Sequence, residues 1–351
     1  MIIRPERLLL IDLCFDRCDP AALPDERIAP LAELTARLNV ESQVLSRLGP
    51  HQQRLGTGAA RWLTGLRQRV AEIAVTNLLR DEELAEALGR LRARGIDLLL
   101  LKGSALRAAQ PGLAGRFQCD VDVLLRRRDL EAAEALLTAM GFRLDESFQC
   151  RAGLLRNHFH FAYERRGAVV ELHWDVDTSS PDGFVDRLWQ ESRELDLDGS
   201  TVRVPSPEHQ LLFGCLHLSR HAFLGGLRWL ADLGAQLPVS GEVGERFAAE
   251  AQAWPRRAVW SPLWLLGLYG APGAAQLAMP SPASPLERSL LRRVLTAVLL
   301  TEPWLGLPAW RAAKAVELWL FSQRPFPAVL REVSTRGIFR KLRGWAGDLA
   351  C

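Results

Sequence analysis

Asp120 and Asp122 stand two residues apart in Phe117-Gln118-Cys119-Asp120-Val121-Asp122-Val123-Leu124-Leu125, where polar and apolar residues alternate. On a β-strand, residues i and i+2 project from one face, so the two carboxylates would stand side by side while Val121 and Val123 face a core. Adjacent carboxylates repel unless a cation neutralises them. Hard oxygen donors with open positions suit Mg²⁺, with Mn²⁺ as a substitute, shared with a nucleoside triphosphate. Upstream, the apolar run Ile96–Leu101 ends in Lys102-Gly103-Ser104. A strand turning into a helix there would let phosphates approach the backbone at Gly103, and the free N–H groups of the helix start would attract them. A third carboxylate comes from Val169-Val170-Glu171-Leu172-His173-Trp174. Val170, Leu172 and Trp174 form one face of that strand, so Glu171 and His173 share the other. If the two strands are neighbours, Glu171 sits opposite the aspartates and completes a metal site.

The elements that must position these groups are legible as changes of period. Residues 26–95 read as helices: Ile28, Leu31, Leu34 and Leu38, then Leu66, Val70 and Ile73, then Leu84, Leu88 and Leu91 recur at helical spacing. Asp81-Glu82-Glu83 reads as an acidic helix start, and Gly95 as a stop. Ile96–Leu101 and Phe117–Leu125 read as strands, joined through a loop containing Pro111, Gly112 and Gly115. Asp129–Met140 reads as a helix closed by Gly141. His158–Tyr163 and Ala168–Val176 read as a hairpin across Arg165-Arg166-Gly167, and Ser200–Val204 as a further β segment. From Ser206 the chain is helical again, with Pro207 at the first helical position, Glu208 in the first turn and a break at Gly225-Gly226. The expected class is α+β: a mainly helical region at 1–95, a small mixed-sheet core at 96–204 and a helical region at 205–351.

Composition narrows the class of partner. The chain has 351 residues, 48% of them apolar and 24% charged, as in globular proteins. Its 44 basic and 41 acidic residues give a net charge of +3, too balanced to announce a nucleic-acid binder. Apolar runs such as Leu98–Leu101 and Val298–Leu300 are too short for a membrane span. The first residues, Met1-Ile2-Ile3-Arg4-Pro5, do not read as a secretion signal, so a cytoplasmic location is expected. Only Lys102, Lys314 and Lys341 are lysines, which makes the lysine beside Gly103-Ser104 an uncommon choice. Cys14 and Cys18 lack a second Cys/His pair at zinc-site spacing, and the scattered cysteines read as free thiols rather than a disulfide framework.

Several residues carry two readings. Lys102 is either a strand-end lysine reaching solvent or a point charge on phosphate. Arg116 is either the structural partner of an aspartate or a phosphate ligand. His217 and His221, at i and i+4 on one helix face, are either cleft-facing or packed; no Glu stands between them as in zinc proteases. Arg228 and Asp232 share the same spacing, so a helix ion pair competes with a nucleotide contact. Between Arg311 and Arg343, eight basic residues with interleaved aromatics make a tail that either docks or meets an anionic partner.

The order Lys102-Gly103-Ser104-Ala105-Leu106, then Arg116-x-x-x-Asp120-x-Asp122-x-Leu-Leu, then a helix ending in Gly141-Phe142, resembles the DNA polymerase β-like nucleotidyltransferase superfamily. More narrowly it is similar to a bacterial family of uncharacterised nucleotidyltransferases. His158-Phe-His160, Glu171-Leu-His173-Trp174, His217-x-x-x-His221 and Leu227-Arg228-Trp229-Leu230-x-Asp232 extend the resemblance over roughly residues 75–240. It implies a polymerase β-like core and a Mg²⁺-dependent transfer of a nucleoside monophosphate from an NTP to an acceptor. Asp120, Asp122 and Glu171 would be catalytic and metal-binding. Lys102, Gly103, Ser104, Arg116, His158, His160, His173, His217, His221, Arg228 and Asp232 would contact the nucleotide. The acceptor is a small molecule, peptide or protein, with nucleic acid disfavoured by the charge. The competing classes are a phosphoryl transferase, or a non-catalytic nucleotide- or peptide-binding accessory protein.

Overall fold

The computed structural model describes residues 5–110, 116–147, 150–197, 200–224, 226–237, 240–271 and 315–322, with single positions between 273 and 296. The chain divides into two compact units. One joins Met1–Glu72 to Leu211–Arg336, and the other joins Ile73–Gln210 to Gly337–Cys351.

Along the chain come α1 (Pro5–Cys14), α2 (Asp25–Arg37), α3 (Glu41–Leu48), α4 (Thr57–Ala93), β1 (Leu99–Leu100), α5 (Lys102–Ala109) and β2 (Asp120–Leu124). They are followed by α6 (Leu130–Ala139), β3 (Arg143–Leu144), α7 (Arg151–Asn157), β4 (His160–Arg165), β5 (Ala168–His173), α8 (Phe184–Gln190), β6 (Arg193–Leu197) and β7 (Ser200–Val204). Helices α9 (Pro207–Arg220), α10 (Leu227–Gly234), α11 (Gly241–Ala251) and α12 (Arg256–Leu268) complete the series. The class is α+β, with a mixed sheet preceded and followed along the chain by helices.

The seven strands lie in the order β3-β4-β5-β2-β1-β7-β6. β2 is central: it runs antiparallel to β1 and parallel to β5, while β4 pairs antiparallel with β5. Alternation along the strands sorts the residues by face. Leu98, Leu100, Val121, Val123, Phe161, Tyr163, Val170 and Leu172 enter one buried cluster with Leu84, Ala87 and Leu91 of α4 and Leu130, Ala133 and Leu137 of α6. Asp120, Asp122, Glu171 and His173 are thereby left to the opposite face.

Two local readings change. Asp81–Glu83 lies inside the 37-residue α4 rather than at a helix start. The acids there act as ion-pair partners: Asp81 meets Arg107 at 2.6 Å, and Glu83 meets Arg165 at 2.6 Å. Packing of Leu84, Ala87 and Leu91 against the sheet holds the helix through a point where an acidic cluster alone would mark a beginning. The final β segment also has a partner, because β6 forms a hairpin with β7. The hairpin β4–β5 turns as expected at Arg166 and Gly167, whose φ values of 51° and 77° match the primed turns that suit strand twist. Cys14, Cys18, Cys119 and Cys215 are free, whereas Cys150 is half of a disulfide, against the reading of free thiols throughout. The loop containing Pro111, Gly112 and Gly115, and the basic residues of the Arg311–Arg343 tail, lie outside the described residues. Among the described residues, no helix is long and apolar enough to cross a membrane.

Candidate active site

The register of the sheet assembles the carboxylates. In the parallel β2–β5 pair, Asp122 stands directly opposite Glu171, and Asp120 opposite Val169. One oxygen from each of Asp120, Asp122 and Glu171 lies within 4.8 Å of the others, a spread that a divalent cation can span. The donor set is all-oxygen and includes a half-exposed member, Asp120, so the residues fit a Mg²⁺ or Mn²⁺ site that remains open to a ligand.

The repulsion among these acids is answered by two neighbours. Lys102 Nζ lies 2.5 Å from Asp122 Oδ1 and 3.4 Å from Glu171 Oε2. His173 Nε2 lies 3.1 Å from each of the same two oxygens. Ionised carboxylates only accept, so the imidazole Nε2–H donates to both. Burial works against the charged form of Lys102, but Asp122 and Glu171 outweigh it and hold the ammonium above its ordinary range. Burial likewise opposes ionisation of Glu171, yet Lys102 and the His173 hydrogen bond keep its carboxyl well below the usual range. His173, fully buried, loses basicity to burial and to Lys102 but regains more from Asp122 and Glu171. Lys102 is therefore not extended into solvent: it stands as the counter-ion of the acidic face.

In the turn into α5 the unusual backbone falls one residue before the glycine. The left-handed residue is Lys102, with φ of 47°, and not Gly103. A β-carbon is tolerated there because Gln210 donates to the Lys102 carbonyl at 2.8 Å, while the Leu101 N–H bonds Asp122 at 2.9 Å just before it. Gly103 matters through space. A Cβ on it would come within 2.9 Å of Arg116 Nη1, so the guanidinium packs against its α-carbon. Arg116 is only 5% exposed, and Asn77 holds its carbonyl at 2.8 Å.

Gln118 is the positioning residue that sequence reasoning missed. Its amide nitrogen donates to Ser104 Oγ at 2.9 Å and to the Asp120 carbonyl at 2.7 Å, tying the Gly-Ser turn to the strand of aspartates. Its Oε1 accepts from Arg107 at 3.2 Å. The signal was present, since Gln118 stands two residues before Asp120 on the same face of the alternating segment.

The histidines divide between the units. His160 pairs with His173 across β4 and β5, their rings stacked at 4.7 Å, and His158 packs edge-on against His160 at 5.3 Å. Burial lowers the basicity of His158 and takes His160 down to about 3. His217, His221, Arg228 and Asp232 belong to the other unit. There His217 and His221 both contact the Trp229 ring, at 4.6 and 4.9 Å, with Arg228 5.6 Å from the same ring. Asp232 Oδ1 accepts from Gln43 at 3.4 Å.

No curated protein matches the chain by sequence. The solution structure of the antibiotic-resistance factor ANT(2'')-Ia is similar over 56% of this chain and 95% of its own, at 15% identity and a TM-score of 0.31. The model of a family described as uncharacterised nucleotidyltransferase matches residues 30–267, a span that takes in β2, β5 and both histidine groups. With more than half of its length so matched, the chain belongs to the uncharacterised nucleotidyltransferase family.

Proposed function

We propose that the chain transfers a nucleoside monophosphate from an NTP to an acceptor oxygen, with Asp120, Asp122 and Glu171 holding Mg²⁺ or Mn²⁺ in a two-metal arrangement. The observation that carries this reading is the cross-strand pairing of Asp122 with Glu171 on adjacent parallel strands, beside Asp120. Three clustered acids are expensive to a fold and are explained by a cation that the fold is built to receive. When bound, the divalent cations supply positive charge to the entering and leaving oxygens of an in-line displacement at phosphorus.

The remaining work falls to side chains of the turn. Because Ser104 Oγ accepts the Gln118 amide, its own O–H is left to donate, and a phosphate oxygen is the acceptor we assign to it. Gly103 keeps the α-carbon bare so that Arg116 and the phosphates can both approach. Lys102, a compact charge on a flexible stem, balances the carboxylates, and with a cation bound beside them its ammonium would be available to the triphosphate. Nucleotide contacts from His217, His221, Arg228 and Asp232 rest on the sequence resemblance alone. The acceptor is a small molecule, peptide or protein.

Incubation with each labelled NTP, Mg²⁺ or Mn²⁺ and candidate acceptors, followed by intact-mass measurement, tests the reading. An acceptor heavier by one nucleoside monophosphate, with pyrophosphate released, is the expected product. A gain of phosphate alone would replace nucleotidyl with phosphoryl transfer. Failure to bind any Mg²⁺-nucleotide in calorimetry would remove the enzymatic reading.

A further inference from the structure

On the sheet face, hydrogen bonding explains the place of the His173 imidazole but not that of its stacked neighbour, His160. His160 Nε2 lies 3.8 Å from Glu171 Oε1, too far for a hydrogen bond, and the His160 side chain makes none with the described residues. His173 Nε2 approaches the other oxygen, Oε2, at 3.1 Å. The Nδ1 atoms of both rings are buried without a partner. Two stacked imidazoles thus present nitrogen to the two oxygens of one carboxylate, and a ligating atom from each of His160, Glu171 and His173 lies within 4.8 Å of the others.

Bonds of about 2.0–2.1 Å at tetrahedral angles place neighbouring ligand atoms about 3.3 Å apart, and three ligating atoms already within 4.8 Å of one another reach that spacing by small side-chain adjustment. Two imidazoles and a carboxylate are also the donors that first-row transition ions prefer, whereas Mg²⁺ prefers oxygen throughout. We propose that His160, Glu171 and His173 form a second metal site, selective for a divalent first-row transition ion and sharing Glu171 with the aspartate site. The ligand set is held by the sheet: His160 and His173 are a cross-strand pair, and Glu171 precedes His173 by two on the same face. A ligand, solvent or substrate, would take the fourth position. Since Glu171 serves both sets, occupancy here is linked to Mg²⁺-nucleotide binding at Asp120 and Asp122. The proposal stands on donor geometry and does not depend on nucleotidyl transfer.

Chelator-treated, untagged full-length protein titrated with Co²⁺ tests it, with the visible ligand-field bands as the readout and Zn²⁺ as competitor. One Co²⁺ should bind with the bands of a nitrogen-containing low-coordinate site, Zn²⁺ should displace it, and equimolar Mg²⁺ should not. His160→Asn should weaken Co²⁺ about tenfold or more. His51→Asn, on an exposed segment of the other unit, should leave it unchanged, and Asp120→Asn should change it no more than about threefold. Unchanged Co²⁺ affinity in a folded His160→Asn protein would overturn the proposal. So would displacement by Mg²⁺, or equal losses in His160→Asn and Asp120→Asn, which would mean one oxygen-dominated centre. Should His160→Asn not fold, the Co²⁺ form of the unaltered protein must show hyperfine-shifted imidazole N–H signals; their absence overturns it equally. Mg²⁺-dependent binding of a non-hydrolysable NTP, measured on the same preparation, reports separately on the proposed function.

Discussion

The sheet face of one unit and the α9–α10 segment of the other both gather ionisable side chains, but they do so in opposite ways. On the sheet, Asp120, Asp122 and Glu171 come from strands separated by some fifty residues and are brought together by register. Like charges accumulate there, and Lys102 and His173 offset them without outnumbering them. Around α9 and α10, spacing within helices does the gathering, and each group meets an unlike partner. Two histidines flank one indole, Arg228 faces both that indole and the charge of Glu41, and Asp232 meets Gln43. Contacts of the second kind set each group beside a neighbour of different chemistry rather than gathering one sign of charge. The first kind leaves more negative than positive charge on one face, which is the excess the proposed cation would neutralise.

The largest test of that contrast is catalytic. Asp120→Asn removes one charge from the half-exposed edge of the acid cluster while nearly preserving shape. Transfer activity should fall by several orders of magnitude, as expected where metal charge stabilises the transition state. Full activity in a folded Asp120→Asn protein, read in the labelled-NTP assay, would make the acidic face a structural feature.

Next in size is the phosphate turn. Gly103→Val puts methyl groups where the Arg116 guanidinium and the approaching phosphates now have room. Nucleotide affinity should drop by about tenfold or more, equivalent to 1.4 kcal/mol or above. The fold should persist, because Gly103 has no left-handed backbone and the nearest obstacle is the end of a flexible side chain. Calorimetry with Mg²⁺-NTP decides it, and unaltered affinity would remove the cradle.

Stability should separate the two aspartates. From charge alone, Asp120→Asn and Asp122→Asn would be expected to be neutral or slightly stabilising, because each relieves repulsion. The structure revises that for Asp122, which is 4% exposed and accepts from both Lys102 and His173. Asp122→Asn should cost about 1–3 kcal/mol in a denaturant or thermal melt, since it strands buried donors. Asp120→Asn should change stability by less. Equal effects would show that the two carboxylates share one environment, against the burial difference.

What was legible in the sequence follows from period. Alternation at Val121 and Val123 against Asp120 and Asp122 fixed the faces of β2, and the same argument placed Glu171 and His173 together on β5. The turn at Arg166-Gly167 and the start of α9 at Pro207 were likewise readable from local chemistry. What period cannot supply is the partner across space. Nothing local says that Lys102 bends back onto Asp122, that Gln210 holds its carbonyl, or that Asp81 in mid-helix pairs with Arg107. The length of α4 escaped for the same reason: tertiary packing overrode an acidic cluster that reads locally as a beginning.

The smallest expected effect lies in the all-helical unit and asks whether its charges are as fully partnered as the contrast requires. Glu41 opens α3, is 3% exposed, and leaves Oε2 buried without a hydrogen-bond partner. Burial pushes its carboxyl above the ordinary range, and the pull of its own backbone N–H, of Arg69 at 3.7 Å and of Arg228 does not restore it. A raised carboxyl means that the folded protein holds a proton which the unfolded chain has already released. Stability is therefore lost as pH climbs from the ordinary carboxylate range through the raised value, and above that value the whole penalty is present. Glu41→Gln cannot ionise, so it should melt above the unaltered protein at neutral pH, and the gap should close as pH falls below the usual carboxylate range. A gap that persists undiminished into acid would assign the gain to packing and not to charge. A variant that melts lower at neutral pH would mean that Arg69 and Arg228 need the carboxylate, and that this unit, too, is balanced by a buried ion.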